Sequence, residues 1–184
     1  PAQVILSGTR ASIDAAVAVL ASEGVTSVRL AVGSAFHSPI VASSRAPFEA
    51  ALAAVPFQPP AIPVVANSTA APYPADPDRQ RALLAGQIAE TVRFRDAVTR
   101  LYDDGVRIFI EVGPGDVLTR LVGQILDGRP YHAIAIDRRR RHGVIAWLEA
   151  IGRLAALGRR LDYDWLFRAT PPRDSDAPVR TDTS

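Results

Sequence analysis

The chain has 184 residues and is 48% hydrophobic, enough to bury a sizeable core and unlike the composition of disordered chains. It has no cysteine, which excludes disulfides, thiolate nucleophiles and cysteine metal sites and fits a cytoplasmic protein. The formal charge is only +2, too weak a surplus to argue for nucleic acid as a partner.

All 21 basic residues are arginine, a coding signature of a GC-rich genome rather than of a function. No apolar run approaches the roughly 18 residues of a membrane span. The start, Pro1-Ala2-Gln3-Val4, has neither a basic region nor a signal-peptide core, so neither membrane nor secretory targeting is expected. Pro1 also stands where a complete chain begins with methionine, which points to a piece of something longer.

In chain order, Val4-Ile5-Leu6-Ser7 reads as a short strand. Thr9 then caps a helix to about Ser22, with Ile13, Val17 and Leu20 on one face and Gly24 as its stop. Thr26 to Val32 is a second strand, completing a β-α-β unit. After a turn at His37, a helix is expected from about Pro47 to Val55, then a Pro-rich linker through Pro60. Ile62 to Asn67 is a strand near an edge, because Pro63 cannot donate to a ladder. A Pro/Ala-rich loop from Ser68 to Pro77 leads to a helix from Asp78 to about Glu90.

Phe94 to Asp104 is a further helix, with Phe94, Val98, Leu101 and Tyr102 inward and Gly105 as its stop. Val106 to Val112 is nearly continuously apolar and is expected to be a strand buried on both faces. Gly113-Pro114-Gly115 turns into a helix from Val117 to Leu126. Ala133 to Ile136 is the last strand, and Val144 to Leu157 the last helix, with Val144, Trp147, Leu148, Ile151 and Leu154 on one face. From Ala169 onward Pro, Asp, Ser and Thr dominate, the composition of a disordered tail.

The most informative stretch is Gly33-Ser34-Ala35-Phe36-His37-Ser38-Pro39, a histidine where an apolar run gives way to a turn. Carboxyl ends of strands commonly carry chemistry in α/β folds, and histidine moves protons near neutral pH. His37 therefore reads either as a general base or as a histidine satisfied by backbone at a strand end. A base needs a nucleophile. No Gly-x-Ser-x-Gly elbow occurs in the sequence, and Ser34 and Ser38 flank His37 too closely to serve it. Gln87 is polar beside Leu84 and Ile88 and reads either as an orienter of the imidazole or as a partly exposed helix-end residue.

Glu111-Val112-Gly113-Pro114-Gly115-Asp116 lies between strand and helix, where an anion can bind a helix N-terminus. It is not a dinucleotide fingerprint, because Leu118 stands at the third glycine, and it is not a P-loop. A tight strand-to-helix turn is the simpler reading. Arg138 to Arg141 with His142 form a basic run, read as a solvated loop or a contact for nucleic acid or an acidic partner. His37, His132 and His142 lack metal-ligand spacing, so no metal is expected.

Taken in order, four segments resemble one family. They are Ala35-Phe36-His37-Ser38-Pro39, Pro63-Val64-Val65-Ala66-Asn67-Ser68-Thr69, Gln87 with Val92-Arg93-Phe94, and Glu111-Val112-Gly113-Pro114-Gly115 with Val117-Leu118-Thr119. Together they are similar to the C-terminal half of a malonyl-CoA:acyl carrier protein acyltransferase, in its type I polyketide-synthase form, over about residues 1–127. The Ala66-Asn67-Ser68-Thr69-Ala70-Ala71-Pro72-Tyr73-Pro74 stretch leans toward the iterative enediyne and polyunsaturated fatty-acid synthases.

The resemblance implies an α/β fold: part of a hydrolase-like parallel-sheet core plus half of a ferredoxin-like small subdomain. Residues 1–32 match the second half of that subdomain and 33–127 the C-terminal part of the core. Residues 128–168 match a linker that docks back through Tyr163, Trp165 and Phe167, and 169–184 are the disordered tail. It also implies ping-pong transfer of a malonyl group from coenzyme A, through a serine, to the phosphopantetheine thiol of an acyl carrier protein, with no covalently bound cofactor. His37 matches the catalytic base and Gln87 the residue whose carbonyl holds its other ring nitrogen. Phe36 matches the position that selects malonyl over methylmalonyl, and Ser34 stands where many malonyl-selective members have histidine.

The serine elbow and the arginine that grips the substrate carboxylate would precede Pro1. The isolated chain is therefore expected to be inactive. Its expected partners are the carrier protein, the neighbouring synthase domains and the N-terminal half of the same domain, with no nucleic acid and no membrane. The alternative is a non-catalytic module that docks a carrier protein through arginines.

Overall fold

The structure is a computed structural model that describes residues 3–164. Trp165, Phe167 and the 169–184 segment lie outside the described residues. Six α-helices and two strands are present among those described: α1 (Arg10–Ser22), α2 (Arg45–Ala53), α3 (Pro77–Gly86), α4 (Phe94–Asp103), β1 (Ile108–Glu111), α5 (Val117–Ile125), β2 (His132–Ala135) and α6 (Gly143–Ala156).

The centre is the β1-α5-β2 unit. β1 and β2 pair in parallel, with Ile108 opposite His132 and Glu111 opposite Ala135. Parallel strands need a crossover, and α5 supplies it. Val98 of α4 joins Val122 and Leu126 as the buried cluster, closed by Phe94, Tyr102, Phe109, Ile125, Tyr131 and Ala133. Leu126 and Ile134 have no exposed surface, and burying one such side chain contributes about 1.5–3 kcal/mol. Residues 104–107 are all that join α4 to β1, and the Arg107 guanidinium sits 3.8 Å from the Tyr102 ring centroid. The C-terminus of α4 therefore lies at the amino end of β1. Phe94, at the other end of the helix, packs against the cluster of Val98, Val122 and Leu126.

The helices start where side chains satisfy their free N–H groups. Thr9 accepts from the Ser12 N–H at 3.2 Å, as its position before an apolar periodic run requires. Asp76, rather than Asp78, caps α3, accepting from the Arg79 N–H at 2.8 Å. That helix ends at Gly86, short of Glu90. A 3₁₀ turn, Pro39–Ser44, precedes α2 and moves its start to Arg45, two residues before the expected Pro47. Pro47 fits the first turn because its missing N–H would have had no intrahelical partner.

Four strand expectations need correction. Residues 4–7 and 26–32 carry no ladder among the described residues, and Val4 and Val28 are 78% and 81% exposed. A strand requires a neighbour's main-chain groups as well as an apolar pattern. The expected β-α-β unit is therefore a helix between two unpaired apolar segments. The Ile62–Asn67 strand reduces to a single bridge, Val65 with Pro72, around a turn at Asn67–Ala70. Finally, β1 is not buried on both faces: Ile110 is 46% exposed and Val112 beyond it 79%. Phe109 packs toward Val98, Val122 and Leu126, whereas the opposite face is partly open.

Candidate functional site

Two turns meet around His37. The first is Ala35–Ser38, where Ser38 is almost completely buried. Its hydroxyl donates to the Ala35 carbonyl at 2.6 Å and accepts from the Ile40 N–H at 3.3 Å, closing the turn and opening the 3₁₀ segment. His37 itself has φ 59°, the left-handed region that a side chain with a β-carbon enters only when its surroundings hold it there. The holding contact is long-range: the His37 N–H donates to the Ile88 carbonyl at 2.9 Å.

The second turn is the end of α3 and its continuation, Gln87–Glu90. The His37 Nδ1 lies 3.0 Å from the Gln87 carbonyl oxygen and 3.2 Å from that of Glu90. A carbonyl only accepts, so Nδ1 carries the proton. In the neutral ring Nε2 is then the basic nitrogen, and it carries no hydrogen bond among the described residues. The imidazole is solvent-exposed.

The structure thus brings His37 and Gln87 together, through the main chain of Gln87 rather than its amide. Phe36 stands beside them with its ring half exposed, and Ser34 is half-buried at the start of the turn. The Glu90 carbonyl is a contact the sequence did not disclose, because main-chain acceptors leave no mark in residue type. The Gln87–Glu90 turn leads through Arg93, whose N–H donates to the Asn67 carbonyl at 2.7 Å, into Phe94 and α4.

At the carboxyl end of β1, the Glu111 side chain folds back over the Gly113–Gly115 turn. Its carboxylate accepts from the Leu118 N–H at 3.0 Å, and from the Thr119 N–H and hydroxyl at 2.7 Å each. The N-terminus of α5 is thus filled by a carboxylate of the same chain, and the tight-turn reading of this motif holds over an external anion. Burial alone would raise the Glu111 pKa. The Thr119 and Leu118 hydrogen bonds and the Arg120 charge outweigh it and hold the carboxyl below its usual range. Gly115 has φ 95°, which only glycine adopts without strain.

His132 is exposed on β2 and His142 precedes α6, both apart from the His37 turn. No cluster of three or more metal-ligating residues occurs among the described residues. No described helix is long and apolar enough to cross a membrane.

The acyl transferase domain family model matches residues 1–145. The polyketide biosynthesis malonyl CoA-acyl carrier protein transacylase BaeC of Bacillus velezensis is 39% identical over 129 residues, covering 68% of this chain and 43% of that protein. Among solved structures, the acyltransferase domain from the second module of the salinomycin polyketide synthase superposes with a TM-score of 0.79 at 27% identity. The match covers 93% of this chain and 40% of that one. The acyltransferase domain of the iterative polyketide synthase in enediyne biosynthesis gives 0.72 at 28% identity, covering 89% and 40%. The chain spans less than half the length of each of these relatives. With the family's α/β fold and these matches, the chain belongs to the acyl transferase domain family, among the acyltransferase domains of polyketide synthases.

Proposed function

We propose that this chain carries the base-bearing half of an acyltransferase that moves a malonyl group from coenzyme A, through a serine ester, to the phosphopantetheine thiol of an acyl carrier protein. The observation that carries this reading is the pair of carbonyls on His37 Nδ1. They leave Nε2 free to take a proton from a serine hydroxyl and later to return one to the departing thiol. The Gln87 carbonyl then plays the orienting part that a carboxylate plays in other serine–histidine sites.

No Gly-x-Ser-x-Gly elbow occurs in this sequence, so on this reading the serine, like the arginine for the malonyl carboxylate, comes from a separate segment. Residues 1–32 would then be the second half of a ferredoxin-like subdomain and 33–127 the C-terminal part of a hydrolase-like core. Residues 128–168 would be the linker that follows. The exposed apolar residues Val4, Ile5, Val28 and Val32, with Ile110 in β1 and Val112 just beyond it, support this division as surfaces that the other half covers. Phe36, at the base's shoulder with Ser34 behind it, would narrow the acyl pocket against a 2-methyl branch.

The test is a protein joining this chain to the serine-bearing half. His37→Ala should lower acyl transfer by about 10²–10⁴-fold, the range for loss of a general base. Near-wild-type turnover would remove His37 from the mechanism.

A further inference from the structure

The loops that follow β1 and β2 leave the same edge of the sheet, because the strands are parallel. Between them lies an open cleft of about 430 Å³ lined by Asp116, Arg138, Arg139, Arg140, Arg141 and Glu149. Four guanidinium groups against two carboxylates leave a surplus of positive charge. That charge is divided unevenly. Glu149, on α6, is gripped by both Arg138 and Arg141, and Asp116 pairs with Arg120 at 2.5 Å. Arg139 and Arg140 are exposed and form no ion pair or hydrogen bond among the described residues. Arg140 is held at φ 63°, so the backbone turns sharply between the anchored arginines and leaves the middle two unanchored.

We infer that Arg139 and Arg140 form a phosphate subsite for coenzyme A. This rests on the acyl-transfer reading above, which supplies a substrate with phosphate groups. A concave cleft with two unpaired guanidinium groups suits a phosphate, which such forks bind bidentately. Open α/β sheets bind ligands at the carboxyl edge of their strands, the edge on which this cleft opens. Arg138, Glu149 and Arg141 act as the frame: the two ion pairs tie the loop to α6 at both ends. A carrier protein's phosphopantetheine also contains a phosphate, so the test separates the two sources.

Calorimetric titration of the protein joining this chain to the serine-bearing half with coenzyme A, with adenosine 3′,5′-bisphosphate and with phosphate-free pantetheine tests the site directly, without turnover. In Arg139→Ala/Arg140→Ala, the Kd for coenzyme A and for the bisphosphate should rise about tenfold, as loss of charge-assisted contacts predicts, with pantetheine unchanged. The Arg139→Lys/Arg140→Lys variant should recover part of the loss, since the charge returns without the fork. Coenzyme A binding equal in wild type and double-alanine variant, or absent in both, overturns the inference. So does a double-alanine variant that weakens holo and apo carrier protein equally while sparing coenzyme A, which would make the loop a protein-docking surface. His37→Ala in the protein joined to the serine-bearing half separates the two readings: it should lower transfer by about 10²–10⁴-fold yet leave coenzyme A binding intact. Transfer that survives His37→Ala defeats the acyl-transfer reading, whereas arginine-independent coenzyme A binding defeats only the subsite.

Discussion

The His37 Nδ1 and the main-chain oxygen of Gln87 lie 3.0 Å apart although fifty positions separate them in sequence. The acceptor is a carbonyl, so the contact sets the imidazole tautomer without depending on the glutamine side chain. Gln87→Ala should therefore keep acyl transfer within a few-fold of wild type, unlike His37→Ala. A steady-state comparison of the two variants in the joined protein checks this. A Gln87→Ala loss as deep as that of His37→Ala would show that the amide, not the carbonyl, does the orienting.

Phe36 faces a simpler question of volume. Phe36→Ser should relax malonyl selection toward methylmalonyl by about tenfold, since one methyl group discriminates by about 1–3 kcal/mol in a pocket. Competition between the two thioesters in the joined protein gives the ratio. An unchanged preference would mean the gate lies elsewhere.

The sequence lacks a serine elbow, so the isolated chain incubated with malonyl-CoA should show no added malonyl mass by intact mass spectrometry. A stable adduct on Ser34 or Ser38 would place a nucleophile within this chain.

Glu111 makes a prediction about acid. Its folded pKa lies below the ordinary carboxylate value, so its ionised form stabilises the fold. That contribution is fully present above the unfolded pKa and is lost as pH falls through the folded one. Glu111→Gln should lower Tm at neutral pH and lose less than wild type on acidification. Glu111→Ala should cost about 0.5–2 kcal/mol, the range for loss of a helix cap. Thermal melts between neutral and acidic pH measure both. Identical slopes for wild type and Glu111→Gln would contradict the assignment.

Leu126 has no exposed surface and joins α5 to Val98 of α4, so Leu126→Ala should destabilise the chain by about 2–5 kcal/mol. Urea unfolding followed by circular dichroism reads the change. A loss under 1 kcal/mol would mean that the site collapses around the smaller side chain.

Much of the helical framework was legible because its signals are local. Thr9 before an apolar periodic run, Gly105 after Tyr102, and Gly113-Pro114-Gly115 ahead of Val117 placed α1, α4 and α5 within a residue or so. The strands were less legible. Val4–Ser7 and Thr26–Val32 have the right side chains but no neighbouring main chain, and a sheet is made by the neighbour. The double-sided burial expected of β1 failed too, since Ile110 and Val112 are left 46% and 79% exposed.

The sequence by itself determined the family, the order of the helices and His37 as the residue to watch. Those follow from residue types and spacings, which survive in one dimension. Only the tertiary structure decided the protonated nitrogen of His37, the carboxylate that caps α5 and the two arginines left unpaired at the sheet edge. Each depends on main-chain groups or side chains brought together from distant positions. Distances between such groups are set by packing and leave no trace in the residue types themselves.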